Sequence, residues 1–238
     1  MSDLASVQTS ALTGVWATVH PHRQATHATA DALIRAAWQD DAASVRTTRL
    51  VARYREQSNG QDPAHRYQTA LSLILGTLAS RMWLRTRTAL ALSAERAHQA
   101  GEQAAGEHIG APVTPTTPTV AAVPGVLAAV LAATARRAAR QLADDTGTPR
   151  QQAAALRALL LAAADLLTAA DVLVSTAYGR GQSAAYQRSA VASVMWVTVG
   201  DGKVCKLCKD RAKASPYLLG EAPSLPAHPR CRCTLTPA

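Results

Sequence analysis

All four cysteines of the chain fall in its last stretch, as Cys205-Lys-Leu-Cys208 and, beyond residues 209–227, His228-Pro-Arg-Cys231-Arg-Cys233. Two thiolates separated by two residues can grip one metal ion from a single tight turn, and a tetrahedral zinc site then needs two further ligands from elsewhere. His228-Pro-Arg-Cys231 supplies them with the same two-residue gap. Cys205, Cys208, His228 and Cys231 are therefore the expected ligands, Cys233 is a further candidate, and the four-cysteine set is the near alternative. Between the two halves the large apolar groups are Leu207, Tyr217, Leu218, Leu219 and Leu225. These are too few to order so long a segment by burial alone, so a structural zinc ion is expected to supply folding energy. In a chain kept in a reducing cytoplasm, clustered cysteines bind metal more often than they form disulfides.

The rest of the chain has a different character. Alanine and leucine dominate, phenylalanine is absent and aromatics make up 4%. Small side chains favour closely packed helices over a thick sheet sandwich. A chain of 238 residues can bury a substantial core as one large domain or two smaller ones. The opening Met1-Ser-Asp-Leu-Ala-Ser6 lacks a basic region before an apolar core, so no secretory signal is expected. The uncharged stretch from Ile109 to Ala135 holds several prolines and threonines, so no membrane span is expected there.

The expected fold is mainly α: long N-terminal helices with a small zinc-stapled α+β domain at the C-terminus. A short helix is expected over 5–19, interrupted by His20-Pro-His22-Arg23, then a second over 24–58. Asn59-Gly60-Gln61-Asp62-Pro63 reads as a turn and a capped helix start, with the next helix running to about His108 and the two forming an antiparallel hairpin. The helical body is placed at 1–110, a Pro/Thr linker at 111–125, a helical region at 126–190 and the tail at 191–238. Within the third part, Asp144-Asp145-Thr146-Gly147 stops one helix and Thr148-Pro149 opens another, running with a break to about Ser189. The pattern then turns β-branched and aromatic from Val194 to Val199. Gly200-Asp201-Gly202 suggests a hairpin turn back into Lys203-Val204-Cys205.

Other groups read more plainly. His20, His22 and His27 read as solvated loop histidines rather than ligands. Arg46, Arg49 and Arg53, and the set Arg81, Arg85, Arg87 and Arg96, read as solvated helix faces that could instead meet DNA or an acidic partner. The net charge of +9 suits a polyanionic partner. Around the cysteines, Lys203, Lys206, Lys209, Arg211, Lys213, Arg230 and Arg232 outnumber Asp201, Asp210 and Glu221. They form either a phosphate-binding surface or a counterweight to zinc-bound thiolates. Nucleobase deaminases pair Cys-x-x-Cys with His-x-Glu, and neither Glu95 nor Glu107 has a histidine two places before it. With no glycine-rich phosphate loop, nucleophile elbow or His-Glu-x-x-His present, no enzyme is expected.

Three pieces belong together: Ala177-Tyr-Gly-Arg-Gly-Gln-Ser-Ala-Ala-Tyr186, then Val194-Met-Trp-Val-Thr-Val-Gly-Asp-Gly-Lys-Val-Cys-Lys-Leu-Cys208, then Leu225-Pro-Ala-His-Pro-Arg-Cys-Arg-Cys-Thr-Leu235. This constellation resembles the C-terminal domain of the phage Mu F-like minor head proteins, the tailed-phage head-morphogenesis family, over about residues 170–236. The resemblance implies a virion protein of the phage head, made in the host cytoplasm and associated with portal and capsid proteins. It also implies possible contact with packaged double-stranded DNA, and neither a membrane nor a small-molecule substrate. Where the family often has a glycine-containing stretch and a short β-element after the cysteine pair, Lys209–Pro216 here reads as a compact helix.

Overall fold

Sequence rich in alanine and leucine builds helix along most of the chain. The computed structural model describes residues 3–80, 83–116, 118, 122–162, 164–198, 203–229 and 231–238, without the side chains of 3–22, 80 and 164. The helices are α1 (Asp3–Ala43), α2 (Thr47–Ser58), α3 (Pro63–Ser80), α4 (Leu84–Ile109), α5 (Val123–Asp144), α6 (Pro149–Leu161), α7 (Ala164–Arg188) and α8 (Lys206–Ala214). The strands are β1 (Ser193–Val197), β2 (Tyr217–Leu218) and β3 (Thr234–Pro237). The expected mainly helical fold with a small α+β terminus is the one observed. The chain divides into two compact units, each discontinuous in sequence: residues 1–31, 91–120 and 171–238 form one, residues 32–90 and 121–170 the other.

The second unit is helical. In it α3 packs on α5, and α2 packs on α3 and α6. Ala135, Ala138, Ala139 and Leu142 of α5 are buried, so small side chains let the helices approach closely. The helix starts follow local chemistry. Asp62 Oδ1 accepts from the amides of Ala64 (2.9 Å) and His65 (3.0 Å), and Thr148 with Gln151 forms a capping box ahead of α6. Asp41 caps α4 from outside, taking the Thr86 amide at 2.9 Å and its hydroxyl at 2.7 Å. By length and composition alone, Pro149–Arg188 is apolar enough to cross a membrane, as core helices also are.

Three helix expectations are corrected. The helix does not stop at His20-Pro-His22-Arg23, because α1 continues through Pro21. Proline there removes one backbone donor and costs about 3 kcal/mol in a helix interior, and the helix persists as one element of a packed structure. Conversely, the helix expected to run from Pro63 to about His108 is two helices, α3 ending at Ser80 and α4 opening at Leu84 after Trp83, whose φ of 40° is unfavourable for a bulky residue. Burial of its ring opposes that strain: Trp83 stacks on Trp38 at 4.5 Å between centroids, and its Nε1 donates to the Leu78 carbonyl at 2.7 Å. The helix expected over 24–58 likewise breaks, with α1 ending at Ala43 and α2 opening at Thr47.

The first unit carries the tail. Its three strands are ordered β2-β1-β3, both pairings antiparallel, with Val194 opposite Tyr217 on one side and Trp196 opposite Leu235 on the other. This corrects the expected hairpin. Lys203, Val204 and Cys205 are not strand, because Cys205 is the N-cap of α8. The turn Gly200-Asp201-Gly202 lies outside the described residues, as do Val199, Arg81 and Arg230. In the Pro/Thr stretch, residues 112–116 carry no regular structure, and Thr116 is tied to α4. Its amide and hydroxyl each reach the Glu102 carboxylate at 2.7 Å, and Arg188 reaches the same group at 2.7 Å. Burial pushes the fully buried Glu102 carboxyl up, but these donors together hold it below its ordinary pKa.

Helices α4 and α7 meet backbone to backbone within this unit. A Cβ on Gly101 would overlap the Tyr178 carbonyl, and one on Gly181 would overlap the His98 carbonyl. Gly101→Ala or Gly181→Ala must therefore force the helices apart, at the upper end of the roughly 1–3 kcal/mol typical of overpacking or beyond it. Gly76, in α3, has open space around it, so Gly76→Ala is expected to stabilise by roughly 0.5–1 kcal/mol. Urea denaturation of the three variants checks this, and equal losses at all three would contradict the packing argument.

Candidate metal centre

Helix α8 starts on a thiol. Cys205 has the extended backbone of an N-cap, and its Sγ accepts from the Cys208 amide at 3.4 Å, doing with sulfur what serine or aspartate oxygen usually does. The Cys-x-x-Cys spacing is therefore the first turn of a helix, and both sulfurs sit at its positive end. The other half comes from the loop before β3, where the Cys231 amide donates to the His228 carbonyl at 3.0 Å.

These elements converge. His228 Nε2 lies 3.2 Å from Cys205 Sγ and 3.3 Å from Cys208 Sγ, while Cys208 and Cys231 sulfurs are 3.9 Å apart. A tetrahedral zinc site has edges of roughly 3.8 Å between sulfurs and roughly 3.6 Å between sulfur and nitrogen, from bonds of about 2.3 and 2.0–2.1 Å. The residues fit such a group. Cys205, Cys208 and His228 form one ligand cluster and Cys208, Cys231 and Cys233 another, each with ligand atoms within 4.8 Å of one another. Cys208 belongs to both. All four thiols are free of disulfides, and all but Cys205 are buried.

The histidine is oriented for the role. Its Nδ1 lies 2.8 Å from the Pro229 carbonyl, which can only accept, so Nδ1 carries a proton and Nε2 is the nitrogen that faces the sulfurs. The thiols are differentiated too. Donation from the Cys233 thiol, with help from backbone amides and Arg23, pulls the Cys231 pKa down, and the same donation plus burial pushes Cys233 up. Burial also raises Cys208, while the Cys208 amide lowers Cys205.

Helix α7 supplies the floor. Tyr178, Gln182 and Tyr186 recur every fourth residue and so share one face. Gln182 exchanges hydrogen bonds with the Thr234 hydroxyl at 2.9 and 3.1 Å, and Tyr186 donates to the Leu235 carbonyl at 2.9 Å. Gly179 brings α7 against Leu225, where an added Cβ would stand 2.7 Å from the leucine Cβ. Trp196 lies with Val194, Leu225, Leu235 and the buried cysteines in one apolar cluster. Its ring is covered by the Arg211 guanidinium at 4.8 Å.

One participant was not visible in the sequence. Arg23 of α1 is 5% exposed and donates to the carbonyls of Cys233 and, at 2.6 Å, Cys231. Burial lowers its pKa, yet a guanidinium keeps its charge. Its Nη2 also reaches Ser175 Oγ at 3.2 Å. From there bonds run on to His27 Nε2 at 3.3 Å and from His27 Nδ1 to Asp171 at 3.1 Å. His27 is thus a half-buried member of a helix-to-helix network, not a solvated loop residue; the side chains of His20 and His22 lie outside the described residues. The order Asp, His, Ser is that of a hydrolase triad. Ser175, however, is 2% exposed and already accepts from Arg23, which leaves no approach to its oxygen.

The basic residues separate into classes. Lys206, Lys209 and Lys213 are exposed on α8, Arg46 is exposed just before α2, and Arg49, Arg53, Arg85, Arg87 and Arg96 are exposed on other helices, with Arg85 paired to Asp40 at 2.8 Å. Arg211 is half-buried and also donates to the Ser224 carbonyl at 3.3 Å. No family model, curated protein or solved structure matches the chain in comparison with known proteins.

Because Cys208 belongs to both ligand clusters, Cys208→Ser is expected to abolish zinc uptake by freshly reduced protein. Cys231→Ser and Cys233→Ser are expected to differ, with the greater loss at Cys231. Elemental analysis of the three variants beside the parent, which should hold about one zinc per chain, checks this. Equal losses at 231 and 233 would remove the basis for preferring either.

Proposed function

We propose that this chain is a non-enzymatic minor head protein of a tailed phage, of the Mu F-like type, acting at the portal in head morphogenesis. In this reading zinc, held by Cys205, Cys208, His228 and Cys231, staples the C-terminal tail and performs no reaction. When bound it supplies crosslinking energy to a segment short of apolar residues.

The observation that carries the reading is the convergence of the three motif pieces that define the resemblance. Tyr186 from the first, Val194 and Trp196 from the second, and Leu225, Cys231, Cys233 and Leu235 from the third lie in one buried cluster with Cys208. The individual residues have packing reasons: Gly181 admits α4, Gly179 admits Leu225, and Gln182 and Tyr186 hold β3. Motif residues that come together in one buried cluster are what a structural module requires.

A second reading, a zinc-containing nucleic-acid-binding protein without a virion role, draws on the lysines of α8. Lys206, Lys209 and Lys213 are spaced three and four apart, so they share one exposed face. In the head-protein reading the same face would meet packaged DNA.

Mass spectrometry of purified virions is expected to find the protein as a minor component that co-purifies with the portal. Its absence from virions, together with tight DNA binding in host cytoplasm, would overturn the head role. If the α8 lysines contact phosphates, replacing all three by glutamine should flatten the dependence of log K on log salt by about 0.9 per lysine. An unchanged slope would remove DNA from the reading and leave the portal role in place.

A further inference from the structure

We infer that Arg23 is a positioning residue for the metal centre, so that the centre is built from the N-terminal helix as well as from the tail. The inference rests on the reading that the Cys/His cluster holds a metal. A buried cation far from the cluster in sequence makes its strongest contacts with the main chain of Cys231, a proposed ligand, and of Cys233, the further candidate.

Cys231 and Cys233 are alternate residues, and Arg23 donates one nitrogen to each of their carbonyls. A guanidinium is planar and presents its donors as a rigid fork. Bonding both carbonyls with one fork fixes the orientation of the two peptide planes, and hence the directions in which the two Sγ atoms leave the chain. The fork is itself held on several sides. Ser175 Oγ lies 3.2 Å from Nη2, the Tyr178 ring lies 5.8 Å from the guanidinium carbon, and the Ser175–His27–Asp171 bonds continue the network.

Charge points the same way. Three or four thiolates on a divalent ion leave the centre net negative, and Arg23 places a positive group behind it, away from water. Outer-shell partners of this kind typically change metal affinity about 10–100-fold when removed. Lysine keeps the charge but not the fork, so Arg23→Lys and Arg23→Gln separate the two contributions.

The experiment uses the full chain loaded with zinc, titrated against a competing chelator, with cobalt-substituted protein examined by absorption spectroscopy. Arg23→Lys is expected to weaken zinc binding about tenfold and Arg23→Gln by up to about a hundredfold. Both should shift the cobalt bands, because the sulfur directions change. Parent protein that takes zinc, beside folded variants that match it in affinity and cobalt spectrum, would overturn the role of Arg23 alone. Parent protein that takes neither metal would overturn the metal reading and this inference with it. Should Arg23→Gln fail to fold, Arg23→Lys decides: parental affinity and bands in that variant would overturn the fork.

Discussion

The close contact between α4 and α7 is the constraint from which the first unit follows. Two glycines on opposing helices, Gly101 and Gly181, each sit against a carbonyl of the other helix with no room for a methyl group. A contact of this kind fixes the rotation of α7 about its own axis, because Gly181 must face the α4 backbone. With that rotation set, Tyr178, Gln182 and Tyr186 lie along a neighbouring face, and Gly179 lies against Leu225. The attachment points of the tail are therefore decided before any residue of the tail is considered.

The tail depends on those points because it has little else. Its strands hold five, two and four residues, and so small a sheet is marginal without a partner to pack on. Its buried apolar groups, Val194, Trp196, Leu225 and Leu235, share their cluster with three cysteines. Helix α7 supplies hydrogen bonds to β3, Arg23 supplies bonds to the carbonyls just before β3, and the thiol cluster ties α8 to the same loop. Burial, polar contacts and the thiol cluster thus act on one short segment from three directions.

Much of this was legible where local chemistry decides. Asp62-Pro63 and Thr148-Pro149 start helices because capping and the fixed φ of proline act within a few residues. The β-branched run that begins at Val194 forms a strand as far as Val197, and the cysteine spacing marked the ligand clusters. What was not legible depends on partners distant in sequence. Pro21 reads as a helix breaker, yet α1 continues through it. Trp83 reads as an ordinary helical residue, yet it breaks the helix to stack on Trp38. The hairpin was expected because a Gly-Asp-Gly turn normally joins adjacent strands, but Cys205 caps α8 and β1 pairs with β2 and β3 instead. Arg23 carries no signal at all: one arginine among 25 lysines and arginines gives no hint that its partners lie at 231 and 233.

That last failure bears on how the basic charge of the chain is read. In sequence, the cations near the cysteines admit two roles, neutralising thiolates or meeting phosphate, and they look alike. In the fold they are unlike. Arg23, from outside the tail, is bonded to the cysteine main chain, and Arg211 spends its guanidinium on the Trp196 face and the Ser224 carbonyl. Lys206, Lys209 and Lys213 are exposed and lie on the helix whose first turn carries Cys205 and Cys208. Neutralisation by a buried group is insensitive to salt, and attraction from an exposed stripe is screened within about 10 Å at 0.1 M. The two roles therefore need not compete for the same residues. A positive charge within hydrogen-bond reach of the cysteine main chain would serve a metal held by the cluster, while the lysine stripe on α8 is exposed to solvent and free of that task.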